Sequence, residues 1–420
     1  MNFRKIAGLL VLSILIFSCA TASSSEKGTK LSKMNWSEKN YEVLNNLITD
    51  YGIGGKYYDE SKPPYAVLDW DQTCAHFDVE EATMRYQLTN LRFKMTKEQF
   101  AGLLKDEING VTKLSEDYNN IALKDINADL NADYDFLYDN YEGLAGKMKL
   151  EDIQKTPQYN DFIAKVAFLY DGYCETKGIE ATYGYPWVLY LFAGHTEAEV
   201  KALANEAIQY ELNNKLGKLK WQTPADYQTK AGAISYSYKT GLRVYPEMQN
   251  LIDAFQSNGI DIFIVSASYK PVVEVFSGIG NYGYNVPAER VVAMELATKD
   301  GVILPAYKEG WVQTQRMGKV EAIKIKIQDG LGKKYDPLFS ACDSDGDYEM
   351  STEFQGMKLT LIFNRVKGGD IGKISKKAVE EKDLASPRYI LQGRNENIGM
   401  LIPQSETILL GKTEPQLLKK

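Results

Sequence analysis

The chain has 420 residues, 44% hydrophobic and 25% charged, which excludes wholesale disorder and a polytopic membrane protein and allows one large core with a second folding unit. A net charge of −7 excludes electrostatic capture of nucleic acid, because that depends on clustered Lys and Arg neutralising phosphates. Beyond Cys19, the cysteines Cys74, Cys174 and Cys342 stand at spacings that match no zinc or disulfide framework, and Cys74 and Cys342 are expected to be small buried thiols at strand ends.

Arg4 and Lys5 precede an apolar run from Ile6 to Phe17 that is too short to cross a bilayer comfortably, so residues 1–18 read as an export signal. Ile16 and Ser18 before Cys19 resemble a bacterial lipoprotein processing site. That implies lipidation of Cys19, a Ser-rich tether over 19–36, and a membrane-anchored protein on the periplasmic or cell-surface side; Ala20-Thr21-Ala22 offers ordinary cleavage as the alternative.

Tyr41, Val43, Leu44, Leu47 and Ile48 at helical spacing predict a helix over Ser37–Tyr51, stopped by Gly52 to Gly55. "YAVLDW" from Tyr65, between Pro63-Pro64 and an acidic turn, suits a buried parallel strand. From Asp78 to about Lys239 the spacing is helical, with candidates at Val79–Leu91, Lys97–Asp106, Ala132–Tyr141, Asn160–Thr176, Trp187–Phe192 and Ala198–Leu216. "DINADLNADYD" faintly evokes a calcium loop, but Leu130 occupies the position whose sharp turn needs Gly, so it reads as a solvated helix-capping loop.

Strand–helix alternation resumes near Val244: helix Pro246–Asn258, a strand from Asp261, helix Pro271–Gly278, a strand near Val291, helix Lys319–Gln328, and strands from Pro337 and Lys358. The expected fold class is therefore α/β, a parallel sheet covered on both faces with a large helical insertion after the first strand.

Ligands of such sheets bind beyond the carboxyl ends of the strands. Those ends carry Asp69-Trp70-Asp71-Gln72-Thr73, Ser266-Ala267-Ser268 and Asp343-Ser344-Asp345-Gly346-Asp347. An EF-hand beginning at Asp343 fails, since its sixth and twelfth positions would be Tyr348 and Phe354.

The three strand ends, with Lys319 in "MGKVEAIKIKI", resemble the signature motifs of the haloacid dehalogenase (HAD) superfamily. "DWDQT…FDVEEATMRYQL" and "GLRVYPEMQNLIDAFQSNGIDIFIVSAS" look closest to its phosphorylcholine- and phosphoserine-phosphatase-like members. The resemblance implies a Rossmann-like core over 37–77 and 240–420 and a cap over 78–239. It makes Asp69 the nucleophile and Asp71 the acid and base. Thr73, Ser266, Ala267 and Lys319 would hold the phosphoryl oxygens, with Lys308 a weaker alternative lysine. Mg²⁺ would sit on Asp69, the Asp71 carbonyl and Asp343, supported by Asp347 and Asp345.

A cap favours a small phosphomonoester, which it would close over while excluding water. Phosphocholine or a similar amino-alcohol phosphate is the leading expectation, because Tyr183, Tyr185, Trp187, Tyr190 and Phe192 could hold a quaternary ammonium, although such spacing also suits core packing. His76 and His195 are expected to be structural. Two rival readings are a tethered binding protein without turnover and a phosphotransferase.

Overall fold

The computed structural model describes residues 28–419; the export signal and Cys19 lie outside them. Six strands form the central sheet: β1 Tyr65–Leu68, β2 Asp261–Tyr269, β3 Val291–Met294, β4 Phe339–Cys342, β5 Leu359–Phe363 and β6 Tyr389–Gln392. Their order is β6-β5-β4-β1-β2-β3 and every pairing is parallel, so all carboxyl ends share one rim. The winding direction reverses between β1 and β4, the switch point at which open α/β sheets bind ligands.

β1 is buried along its whole length because both faces are covered. Ala66 and Leu68 join a large core cluster with Leu251, Ile252 and Phe255 of helix Pro246–Ser257. Tyr65 and Val67 point the other way, onto Val320, Ile323 and Met350. This period-two division is what a doubly covered strand requires.

The insertion after β1 includes helices Val79–Thr89, Lys97–Leu103, Leu123–Asn140, Pro157–Glu175 and Glu197–Asn213. Its Ile126, Leu130 and Phe162 belong to the same cluster as Ile262 and Ile264 of β2, so one continuous core joins insertion and sheet.

One expectation needs correction. "DINADLNADYD" is not a capping loop: it lies inside Leu123–Asn140, with Ile126, Leu130, Tyr134 and Leu137 forming the buried face, Asp129 pairing with buried Lys165 and Asp133 accepting from Tyr227. The largely helical insertion also holds an antiparallel hairpin, Gly217–Gln222 with Ser235–Thr240, whose Trp221, Tyr236 and Tyr238 pack on one another.

Candidate active site

Register sets the site. Leu68 of β1 lies beside both Ala341 of β4 and Ile264 of β2, so Asp69, Asp343 and Ser266 emerge together at the rim. The Asp69 amide donates to the Ala341 carbonyl at 3.0 Å, a last sheet bond, after which the chain turns back and the Cys74 amide donates to the Trp70 carbonyl at 2.8 Å. The turn needs a left-handed residue, Gln72 at φ 66°. Buried Arg394 secures it, donating to the Gln72 carbonyl at 3.0 Å and to its side-chain oxygen at 2.8 Å while pairing with Glu396 at 2.6 Å.

The turn returns the Thr73 hydroxyl to Asp69, where it donates to Oδ2 at 2.7 Å. Oδ1 of Asp69 takes a 2.7 Å bond from Lys319, whose Nζ also meets Asp347 at 2.6 Å and the Val265 carbonyl at 2.6 Å. Lys319 is 1% exposed. Burial would lower its pKa, but Asp347 and Asp69 outweigh burial and raise it, so the ammonium stays charged. Lys308 by contrast is about half exposed, at 49%, and pairs with Glu295.

Asp343 accepts from Thr73 at 3.4 Å and pairs with Arg365 through its other oxygen. Burial opposes its ionisation, yet Arg365 and Lys367 outweigh it and hold the carboxyl below its ordinary range. Asp347 accepts from the amides of Asp343 and Ser344, both at 3.2 Å. Burial and then Asp347 push Asp69 well above the carboxylate range, with Lys319 working in the opposite sense.

Asp71 is held apart from this group by two donors, the Val79 amide and the Ser268 hydroxyl, both at 2.6 Å. Burial and then the neighbouring Asp78 push its carboxyl well above the ordinary range. Ser266 is buried, accepts from the Ser268 amide at 3.1 Å, and its carbonyl accepts from Thr314. Ala267 lies half-buried between the two serines.

No protein-family model matches the chain. A conserved protein of unknown function from Anaerococcus prevotii, solved by crystallography, is 30% identical, covering 92% of this chain and 100% of that one with a TM-score of 0.79; the two belong to one family. A phosphorylcholine phosphatase of Pseudomonas aeruginosa is 24% identical over 200 residues, 48% of this chain and 50% of that protein. This match runs with the resemblance of the chain's four motifs to the HAD superfamily. The chain spans about half the length of the curated relative it matches.

The residues of this site fit the divalent cation that the HAD resemblance implies. Asp69, Asp343 and Asp347 are buried and each offers an oxygen within 4.8 Å of the others. Lys319 and Arg365 are the cations bonded to this trio. Three buried carboxylates converging with oxygen donors alone suit Mg²⁺.

Asp345 is not brought into this group. Its Oδ1 accepts the Ile371 amide at 2.8 Å and its Oδ2 faces Arg316 at 3.7 Å, so it caps the helix Gly369–Glu380. Gly369, at φ 72°, admits the contact, since a Cβ there would lie 2.3 Å from the Asp345 carboxylate. The aromatic set is mostly packing: Trp187 is buried and donates to the Leu103 carbonyl at 3.0 Å, and Phe192 stacks on Tyr269. His76 is buried against Tyr245 at 2.9 Å and His195 against the Phe192 carbonyl at 3.1 Å. The thiol of Cys74 donates to the Asp69 carbonyl at 3.2 Å, and burial pushes its pKa up, which makes it inert.

Three contributors went unread in the sequence. Ser268 stood in the quoted strand end without a role. Arg365 stands two residues past β5, so the rule that located Asp343 at the end of β4 would have found it just beyond "KLTLIF". Arg394, 322 positions from Gln72 along the chain, left no signal.

Proposed function

We propose that this protein is a Mg²⁺-dependent phosphomonoesterase working through a phosphorylated Asp69. The observation that carries this reading is the Asp69 carboxylate gripped by Lys319 at 2.7 Å and Thr73 at 2.7 Å at the β1–β4 switch point, beside Asp343 and Asp347. One Asp69 oxygen attacks phosphorus as the ester P–O bond breaks, and Asp71, bonded only to neutral donors, supplies the proton to the departing oxygen. Asp71 then takes a proton from water as the water oxygen attacks phosphorus of the aspartyl phosphate, releasing inorganic phosphate and restoring Asp69. Lys319, Thr73 and the Ser266–Ala267 strand end hold the nonreacting oxygens. Asp69, the Asp71 carbonyl and Asp343 would hold the ion, oriented by Asp347. When bound, the ion neutralises phosphoryl charge and orients the group for in-line attack.

The substrate is a small amino-alcohol phosphate, with phosphocholine the leading candidate. The Pseudomonas relative is named for that substrate. The export signal supports a further element of the proposal, lipid anchoring through Cys19. Among the described residues no helix is long and apolar enough to cross a membrane.

The test is phosphate release from phosphocholine, phosphoethanolamine, phosphoserine and p-nitrophenyl phosphate, with and without Mg²⁺, for wild type and Asp69→Asn. Turnover of none of them by folded, Mg²⁺-loaded protein defeats the phosphatase reading; undiminished turnover by Asp69→Asn defeats the choice of nucleophile. Intact mass decides between a lipidated Cys19 and cleavage after Ala22.

A further inference from the structure

Asp71 hangs between two donors that belong to different parts of the fold. Val79, whose amide reaches Oδ1, opens the insertion's first helix, Val79–Thr89. Ser268, whose hydroxyl reaches Oδ2, is the last residue but one of β2. Nothing in either contact fixes the separation of the donors, so the orientation of Asp71 depends on how firmly the helix start is tied to the strand end. One side chain makes that tie. Glu80 follows Val79 directly, and its Oε2 accepts the amide of Tyr269, the residue after Ser268, at 2.8 Å.

We infer that Glu80 is a positioning residue for the acid–base step, a clamp that sets the distance between the two donors of Asp71 by bonding the neighbour of one from the neighbour of the other. The inference rests on the phosphatase reading above, which makes Asp71 the proton donor.

Three features support a positioning role over a merely packed carboxyl. Glu80 is 6% exposed and its second oxygen, Oε1, has no partner, a costly arrangement for a group kept only to fill space, where an apolar side chain would serve better. Burial pushes its pKa up to about 8, so the carboxyl is largely neutral near pH 7 and its role is that of a hydrogen-bond acceptor, not a charge. Tyr269, the residue it holds, is itself wedged in place, stacked on Phe192 at a centroid distance of 5.7 Å. The clamp therefore joins helix start, strand end and the far part of the insertion around one proton-carrying group.

A clamp of this kind controls geometry at the reacting centre, where a displacement of about 1 Å reduces rate by roughly 100-fold without weakening ground-state binding. The experiment measures kcat and KM on p-nitrophenyl phosphate with Mg²⁺ for wild type, Glu80→Gln, Glu80→Asp and Glu80→Ala. Glu80→Gln keeps a neutral acceptor at the same reach and is expected to retain kcat within about three-fold. Glu80→Asp, one methylene short, and Glu80→Ala are expected to lose kcat by roughly 10- to 100-fold with KM changed less than about two-fold. Should Glu80→Ala fail to fold, Glu80→Asp carries the comparison. Wild-type kcat in Glu80→Asp, or equal damage in Glu80→Gln and Glu80→Asp, overturns the clamp while leaving the phosphatase reading intact. Silence of the wild type on every phosphomonoester tested defeats both.

Discussion

Replacing Lys319 by Met tests the charge arrangement most directly. The side chain is of similar length, but the variant loses the contacts to Asp69 at 2.7 Å, Asp347 at 2.6 Å and Val265 at 2.6 Å. It leaves two buried carboxylates facing each other. Removing one partner from a buried ion pair costs about 3–5 kcal/mol. Asp69 can relieve part of that cost by binding a proton, because its folded-state pKa then rises further above the unfolded value near ~3.9. Where the folded state binds more protons than the unfolded state, stability falls as pH rises, so the deficit of Lys319→Met is larger at pH 8 than at pH 5. Mg²⁺ at about 100 times its dissociation constant returns roughly 2.7 kcal/mol. Turnover falls by about 100- to 1,000-fold, the usual loss when a preorganised donor to a developing charge is removed. The assay is guanidinium unfolding at both pH values, with and without Mg²⁺, alongside phosphate release. Unchanged stability together with turnover within two-fold of wild type would refute the reasoning.

Arg365→Leu removes the partner of Asp343, whose carboxyl is held below its ordinary range despite burial; that stabilisation is present above about pH 4 and is lost as pH falls through the depressed folded value. Urea titrations are therefore expected to show a deficit of about 3 kcal/mol at pH 7 that shrinks at pH 3. Arg394→Met removes three bonds around Gln72 and Glu396, and is expected to lower denaturation free energy by about 3 kcal/mol and kcat by at least roughly ten-fold. Burial and then Asp161 push Asp133 up to about 9, so the folded chain keeps a proton that the unfolded chain releases near ~4, and stability declines between those values. Thermal melts at pH 5 and pH 9 should show a flatter pH dependence for Asp133→Asn.

How much was legible in the sequence depended on the range of the interaction. Elements set by local pattern were read within a few residues: the leading helix, the continuous apolar run of β1, and "DIFIVSAS" as β2. Asp69, Ser266 and Asp343 were legible because parallel strands must deliver their carboxyl ends to one rim. Lys319 was placed by motif, and its three partners became visible only when strand and helix were docked. What escaped was set by tertiary context. Asp129 and Asp133 look like loop formers, but Asp129 bonds buried Lys165 at 2.8 Å and Asp133 accepts from Tyr227 at 2.8 Å, which overrides their weak helix propensity. Asp345 matched an acidic motif whose chemistry is carried by its neighbours at alternate positions, Asp343 and Asp347, because the tight turn after β4 sends it to Arg316 and Ile371 instead.

The two aspartates of the nucleophile turn share a chain segment, yet their surroundings divide the work between them. Asp69 touches an ammonium and a hydroxyl and belongs to the oxygen cluster with Asp343 and Asp347, so every further positive charge delivered there stabilises its anion and keeps it able to attack. Asp71 touches an amide and a hydroxyl, with no cation bonded to it, and feels the like charge of Asp78, so the same burial favours its protonated form. Burial pushes both carboxyls up; what differs is their company, and the proposed mechanism uses that difference to make an anion of Asp69 beside Lys319 and a proton carrier of Asp71. The division depends on Val79 and Ser268 keeping Asp71 turned away from Lys319. The proposed acid–base role of Asp71 therefore draws on the helix start of the insertion through the Val79 amide.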